Sequence, residues 1–149
     1  MTEISFYSGV ANPLSATAKL VAKAYAQGRR VRVVTPDAAA TATLDKLLWE
    51  LEPEGFLPHV NLASPHAAKT PIIVDHAREH SGAIDVLINL GTEPPPFFAR
   101  FERMFEIIGR DDEGATAGRE RWKFYKERGY PLTNHQICVI DAEKNILEI

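Results

Sequence analysis

The sequence predicts an α/β fold in which helices flank a mostly parallel sheet in three layers. Short apolar, β-branched segments alternate with amphipathic helical segments from the first residues onward, as in sheets covered by helices. The chain has 149 residues, of which 45% are hydrophobic, and this size suits one domain spanning 1–149. Because a chain of this length buries roughly 68% of the surface that its unfolded form exposes, we expect it to fold without disulfides or a structural metal.

A βαβ-like unit opens the chain. Residues 4–7 are expected to form the first strand. Asn12 and Pro13 then start a helix, because the asparagine side chain can accept a backbone hydrogen bond and proline at the first helical position loses none. Gly28 ends this helix, and the β-branched residues within 31–35 predict the second strand.

The rest of the chain continues the alternation. Residues 35–37 repeat the cap-and-proline start, and leucines at 44, 47, 48 and 51 place an apolar face on a helix that ends near Pro53. Three prolines at 94–96 then interrupt the chain. The other expected elements are strands at 60–62, 71–75, 85–90 and 104–108, a short helix at 97–103, a last helix at 115–128 closed by Gly129, and a C-terminal tail, 131–149, with a hairpin in 137–149.

Composition and charge narrow the classes of function. The chain carries 17 lysines and arginines against 20 acids, a formal net charge of −3, which argues against direct DNA binding by broad neutralisation of phosphates. The lone Cys138 cannot form an internal disulfide, as is typical of proteins from a reducing compartment. No segment reaches 18 apolar residues and the first residues lack a basic leader, so we expect a cytoplasmic protein without membrane spans.

Two motifs bear on catalysis. The turn at 8–13 matches neither Gly-x-Gly-x-x-Gly nor a phosphate loop, so we expect a nucleotide-binding-like fold without a nucleotide cofactor. His76, Glu79 and His80 match His-x-x-Glu-His, in which two histidines one helical turn apart hold zinc. The few residues between two strands leave little room for a helix, so we expect a solvated segment, no metal and no catalytic residues. A small metal- or nucleotide-dependent hydrolase using these three residues is the alternative.

The last helix carries a row of cations with an aromatic residue between them. Positions i, i+3, i+4 and i+7 fall on one helical face, and the same geometry puts Gly118 and Tyr125 on the core side. Such a face suits an acidic peptide with an apolar anchor, because arginine can grip a carboxylate with two hydrogen bonds. A solvated helix with salt bridges to Glu120 and Glu127 is the alternative. We call this row the cationic stripe; it consists of Arg119, Trp122, Lys123 and Lys126.

A second surface is marked by two aromatic residues. Trp49 follows core leucines on the second helix, and Phe56 sits in a turn flanked by Gly55 and Pro58. Adjacent exposed aromatics are typical of protein interfaces. Packing of both rings inward against the loop is the alternative.

The sequence resembles the chi subunit of bacterial DNA polymerase III holoenzyme. Short matching segments occur in the family's order over most of the chain, up to about Gln136. The segments are Phe6-Tyr7, Gly28-Arg29-Arg30-Val31, Leu44-Asp45-Lys46-Leu47-Leu48-Trp49, Phe56-Leu57-Pro58-His59, Asp85-Val86-Leu87-Ile88-Asn89-Leu90, Arg119-Glu120-Arg121-Trp122-Lys123-Phe124-Tyr125-Lys126 and Gly129-Tyr130.

The resemblance implies a non-catalytic adaptor that recognises two partners. Chi proteins bind the acidic, phenylalanine-ended C-terminal tail of single-stranded DNA-binding protein (SSB) through the last long helix. Arg119 and Lys123 would then grip the acids and Trp122 would form an aromatic wall, with Tyr125 and Lys126 in the same site. The psi subunit, which links chi to the clamp loader, and a repair helicase both use the surface of Trp49 and Phe56 in this family.

Overall fold

The structure is a computed structural model that describes residues 2–51, 59–60, 72–76 and 85–136. Within these ranges the chain forms strands and helices in alternation for most of its length. In chain order the elements are β1 (Glu3–Val10), α1 (Pro13–Ala26), β2 (Val31–Val34), α2 (Ala38–Leu51), β3 (His59–Val60), β4 (Ile72–Asp75), β5 (Val86–Asn89), a 3-10 helix (Phe98–Arg100), β6 (Arg103–Gly109), α3 (Asp112–Glu127) and β7 (Leu132–Gln136).

The described strands form one seven-stranded sheet in the order β3-β4-β2-β5-β6-β1-β7. Every neighbouring pair is parallel. The strands β2, β4 and β5 are buried at every position, as expected for a parallel sheet covered on both faces. The predicted α/β fold with a mostly parallel sheet is therefore confirmed.

The two faces of the sheet bury separate apolar clusters. Successive side chains of a strand point to opposite faces. In β6, Phe105 and Ile107 pack with residues of α1 and α2, whereas Met104 and Ile108 pack with Tyr125 of α3. The helices α1 and α2 thus cover one face and α3 covers the other, which gives the three layers.

Side-chain caps set where the helices begin. The Asn12 Oδ1 accepts a hydrogen bond from the Ser15 backbone N–H at 3.1 Å, as predicted. For α2 the predicted start was wrong: the Asp37 carboxylate, which accepts from the Ala40 N–H at 2.8 Å, caps the helix. Pro36 therefore precedes the cap, and the Thr35 hydroxyl instead forms a hydrogen bond with that of Thr41.

The structure differs from the sequence prediction at three further elements. The helix α3 begins three residues early, because Asp111 caps it by accepting from the Gly114 N–H at 3.1 Å. The short helix expected at 97–103 is a three-residue 3-10 turn. The strand β7 was not predicted, since its exposed Thr133 and Asn134 lack an apolar pattern. The hairpin expected in 137–149 lies outside the described residues.

Among the described residues, no helix has both the length and the apolar character needed to cross a membrane.

Candidate functional site

A groove of about 410 Å³ lies where α3 crosses the carboxyl ends of β1 and β6. These neighbouring strands send the chain in opposite directions: β1 leads through α1 to β2 on one side, and β6 leads through α3 to β7 on the other. In parallel sheets such a switch point leaves a crevice at the strand ends, where ligands bind. We call this feature the α3 groove.

Two glycines shape the α3 groove. Gly9 has a φ of 71°, and the pairing of β1 with β6 shifts register between Tyr7 and Val10. Gly118 lets α3 approach the sheet closely, because a Cβ atom there would lie 3.2 Å from both Cγ atoms of Ile108. The close approach places the next turn of α3, with Arg119 and Trp122, at the groove.

One side of the α3 groove is aromatic. Trp122 is half-buried, and its ring meets that of Phe6 edge to face, with centroids 5.1 Å apart at 70°. The ring of Phe6 is in turn held by Tyr125, at 6.0 Å and 67°. We call Phe6 and Trp122 the aromatic wall; Ile108 adds further apolar surface beside it. The wall can bury an apolar side chain of a ligand.

Two exposed arginines also line the α3 groove. Arg119 belongs to the cationic stripe, and Arg110 follows β6 directly. Within the part of the chain that the structure describes, Arg119 makes no hydrogen bond or ion pair with an acid. We call these two residues the arginine rim. A carboxylate that enters the groove therefore does not have to displace a described acid from Arg119.

The remaining residues of the predicted site lie elsewhere. Lys123 and Lys126 are exposed and continue the cationic stripe along α3, beyond the groove lining. Tyr125 is fully buried, so its expected place among the contact residues must be corrected. Its hydroxyl is directed into the protein interior, because it donates a hydrogen bond to Glu106.

A buried polar network anchors α3 to the sheet beneath the groove. Glu106 of β6 accepts hydrogen bonds from Arg121 Nε at 3.0 Å, from the Tyr125 hydroxyl at 2.5 Å and from Asn89 Nδ2 at 2.9 Å. The Arg121 Nη1 also donates to the Thr92 carbonyl at 3.0 Å. The charged pair is thus enclosed and hydrogen-bonded on several sides, as buried charges require.

Burial dominates the electrostatics of this network. Desolvation raises the pKa of Glu106, while the positive charge of Arg121 and the hydrogen bonds from Tyr125 and Asn89 lower it in part. The pKa of Tyr125 is also raised, first by burial and then by the adjacent Glu106 carboxylate. Tyr125 therefore stays a hydrogen-bond donor at any ordinary pH.

Sequence reasoning missed the arginine rim's Arg110 and the buried role of Arg121. Gly118 and Tyr125 were correctly placed on the core side of α3, and Arg121 adjoins Tyr125 on the helical wheel. The signal that could have found Arg121 is Glu106, an acid within an otherwise apolar strand, because a buried carboxylate needs a cation. No local signal marks Arg110, because the switch point is defined by the strand order.

The second predicted surface is partly described. Trp49 is 55% exposed on α2, the largest exposure of any large apolar side chain in the described residues. Phe56 lies outside the described residues. Since α2 and α3 cover opposite faces of the sheet, Trp49 and the α3 groove are on opposite sides of the protein.

Only one of the three residues of the hydrolase alternative lies within the described residues. His76 follows β4, where its Nδ1 lies 3.5 Å from Asp75 Oδ1 and 3.3 Å from the Thr41 hydroxyl. Glu79 and His80 lie outside the described residues. Within the described ranges, no three metal-ligating side chains come together.

A family model and three relatives of known description all match this chain, and they share one description. Residues 1–133 match the family model described as DNA polymerase III chi subunit, HolC. The chain is similar to DNA polymerase III subunit chi of Pseudomonas aeruginosa, with 34% identity over 141 residues, 92% of this chain and 98% of that protein. It also resembles DNA polymerase III subunit chi of Escherichia coli, at 31% over 80% of this chain and 84% of that protein. For the Haemophilus influenzae protein of the same description the identity is 28%, over 79% and 83%.

Proposed function

Because the chain belongs to the DNA polymerase III chi subunit family, we propose that it is a non-catalytic adaptor linking the clamp loader to SSB-coated single-stranded DNA. The family makes it an accessory subunit of the replication machinery. In this proposal the α3 groove binds the C-terminal tail of SSB, and the Trp49 surface binds the psi subunit. Both partners act in the cytoplasm, where the chromosome is copied.

One observation carries the assignment of the groove: Arg119 and Trp122 line the same concave surface. An acidic peptide with an aromatic end needs cations for its carboxylates and an apolar recess for its ring. The arginine rim supplies the cations, and the aromatic wall together with Ile108 supplies the apolar recess. Lys123 and Lys126 extend the positive field along the exposed helix, where they speed the encounter more than they add affinity.

Titration with an SSB tail peptide tests this assignment. A short peptide buries little surface, so we expect a dissociation constant on the order of micromolar, about −8 kcal/mol. The affinity should fall as salt is raised, because the arginine rim is exposed and screened.

Arg119→Ala should weaken peptide binding by about 1.5–3 kcal/mol, or about 10- to 150-fold, because it removes charge-assisted hydrogen bonds. Calorimetric titration of both proteins at low and high salt measures the change. Lys46→Ala is the matched control, since this exposed cation lies on α2 at the opposite face. Unchanged affinity in the Arg119 variant would show that the tail binds elsewhere.

Trp49→Ala should weaken capture of psi while peptide binding stays as in the unaltered protein. Large exposed aromatics dominate interface energies, and Trp49 is on the opposite face from the α3 groove. Phe56→Ala should act in the same way, and a helicase that uses this surface should compete with psi. A pull-down with psi measures the loss. Full psi capture by both variants would refute the assignment of this surface.

The separation of the two surfaces supports the adaptor proposal. A protein that joins two partners must hold both at once, and partners on opposite faces of one sheet do not collide. The psi subunit and the SSB tail should therefore bind together without competition.

A further inference from the structure

The last described strand ends beside the α3 groove. β7 is parallel to β1, with Asn134 opposite Phe6 and Gln136 opposite Ser8. Asn134 lines the groove, and its Oδ1 accepts a hydrogen bond from the Ser8 hydroxyl at 3.2 Å. The chain that follows Gln136 therefore leaves the sheet at the groove. An extended chain spans at most ~3.6 Å per residue, so Asp141 lies within ~18 Å of Gln136.

Residues 137–149 have the chemistry that the α3 groove accepts. The segment combines carboxylates with aliphatic side chains and has a single lysine, Lys144. The arginine rim can pair with the carboxylates, and the aromatic wall can cover an isoleucine or leucine. This is the same pairing that the proposed function assigns to the SSB tail. The carboxylates of the segment are Asp141, Glu143 and Glu148.

We propose that residues 137–149 bind the α3 groove within the same chain and compete there with the tail of SSB. This proposal rests on the proposed function of the groove. It adds that a segment of the same chain regulates binding of the SSB tail there. A segment tethered by a few residues has an effective concentration on the order of millimolar. Even a weak segment, with a dissociation constant of about 0.1–0.5 mM, would then weaken peptide binding by about 3- to 10-fold.

Neutralising the segment in the full chain tests the competition. The double variant Asp141→Asn with Glu143→Gln should bind the SSB tail peptide about 3- to 10-fold more tightly than the unaltered chain. The control is Glu3→Gln with Glu102→Gln, which changes the net charge equally at the opposite, amino-terminal edge of the sheet. Its affinity should match that of the unaltered chain. Equal affinities in all three proteins would overturn the proposal.

A second measurement needs no partner. A nitroxide is attached at Ile146→Cys in a Cys138→Ser background, and the indole N–H signals of Trp122 and Trp49 are recorded by NMR. Binding of the segment in the groove should broaden the Trp122 signal and spare that of Trp49 on the opposite face. Arg119→Glu should restore the Trp122 signal. If Trp122 is no more broadened than Trp49, the proposal is overturned.

The two measurements separate this proposal from the proposed function. Selective broadening of Trp122 together with no peptide binding by any variant would support the intramolecular contact and refute SSB binding by the groove. Peptide binding that is equal in all variants, without broadening of Trp122, would support SSB binding and refute the contact.

Discussion

Replacing Arg121 with methionine should lower the free energy of unfolding by about 3–5 kcal/mol, because the change leaves the Glu106 carboxylate buried without its cation. Methionine is flexible enough to fill most of the space of the arginine side chain. The loss should therefore come from the uncompensated charge more than from a cavity. Urea denaturation followed by circular dichroism measures it.

Two further variants show whether the stability loss of Arg121→Met comes from the buried charge. Arg119→Met changes an exposed arginine of the same helix and should alter stability by at most about 0.5 kcal/mol. Adding Glu106→Gln to Arg121→Met removes the stranded charge, so the double variant should regain part of the stability that the single variant loses. A loss below about 1 kcal/mol for Arg121→Met would show that the pair contributes little to folding.

The penalty of Arg121→Met should also depend on pH. Arg121 is the strongest influence that lowers the pKa of Glu106, so its removal leaves this pKa raised further by burial. A carboxyl whose pKa is higher in the folded state favours folding at low pH and loses that contribution as the pH rises through its pKa. The variant should therefore be closest to the unaltered protein in acid. A penalty that is constant with pH would contradict this.

Trp122→Ala should weaken binding of the SSB tail peptide by at least about 2 kcal/mol, or about 30-fold, the size of effect seen at interface hot spots. The substitution removes half of the aromatic wall and one of the two rings that contact Phe6. Trp122→Phe keeps an aromatic face and should retain most of the affinity. Calorimetric titration gives both values.

Trp49→Ala serves as the matched control for Trp122→Ala, because it removes the other tryptophan, on the opposite face, and should leave peptide affinity unchanged. Circular dichroism should confirm that both variants stay folded. If Trp122→Ala binds the peptide as tightly as the unaltered protein, the aromatic wall plays no part in recognition.

Local patterns were sufficient to predict the fold and part of the site. The apolar run at 85–90 and the cap at Asn12 are decided by neighbours in sequence, and both were confirmed at β5 and α1. The same helical spacing placed Arg119 and Trp122 near each other, and in the structure both line the α3 groove.

The features of the fold and of the site that were not predicted depend on contacts between segments that are distant in sequence. Arg110 reaches the groove because β6 lies beside β1, a pairing that no local pattern reveals. Tyr125 is withdrawn from the surface because Glu106, 19 residues earlier, accepts its hydrogen bond. β7 forms because β1 offers it an edge, although four of its five residues are polar. Sequence reasoning has access to such features only once the strand order is known.

The position of β1 also bears on how the protein is made. It is the first strand to be synthesised, yet its neighbours in the sheet are β6 and β7, the last two described strands. Such distant pairing carries a large loop-closure entropy and slows folding. On the ribosome, β1 stays unpaired until β6, which ends at Gly109, has emerged, and its second neighbour β7 follows only later. A nascent or truncated chain that lacks α3 and β7 has no α3 groove, so the proposed binding of the SSB tail there must await synthesis of both elements.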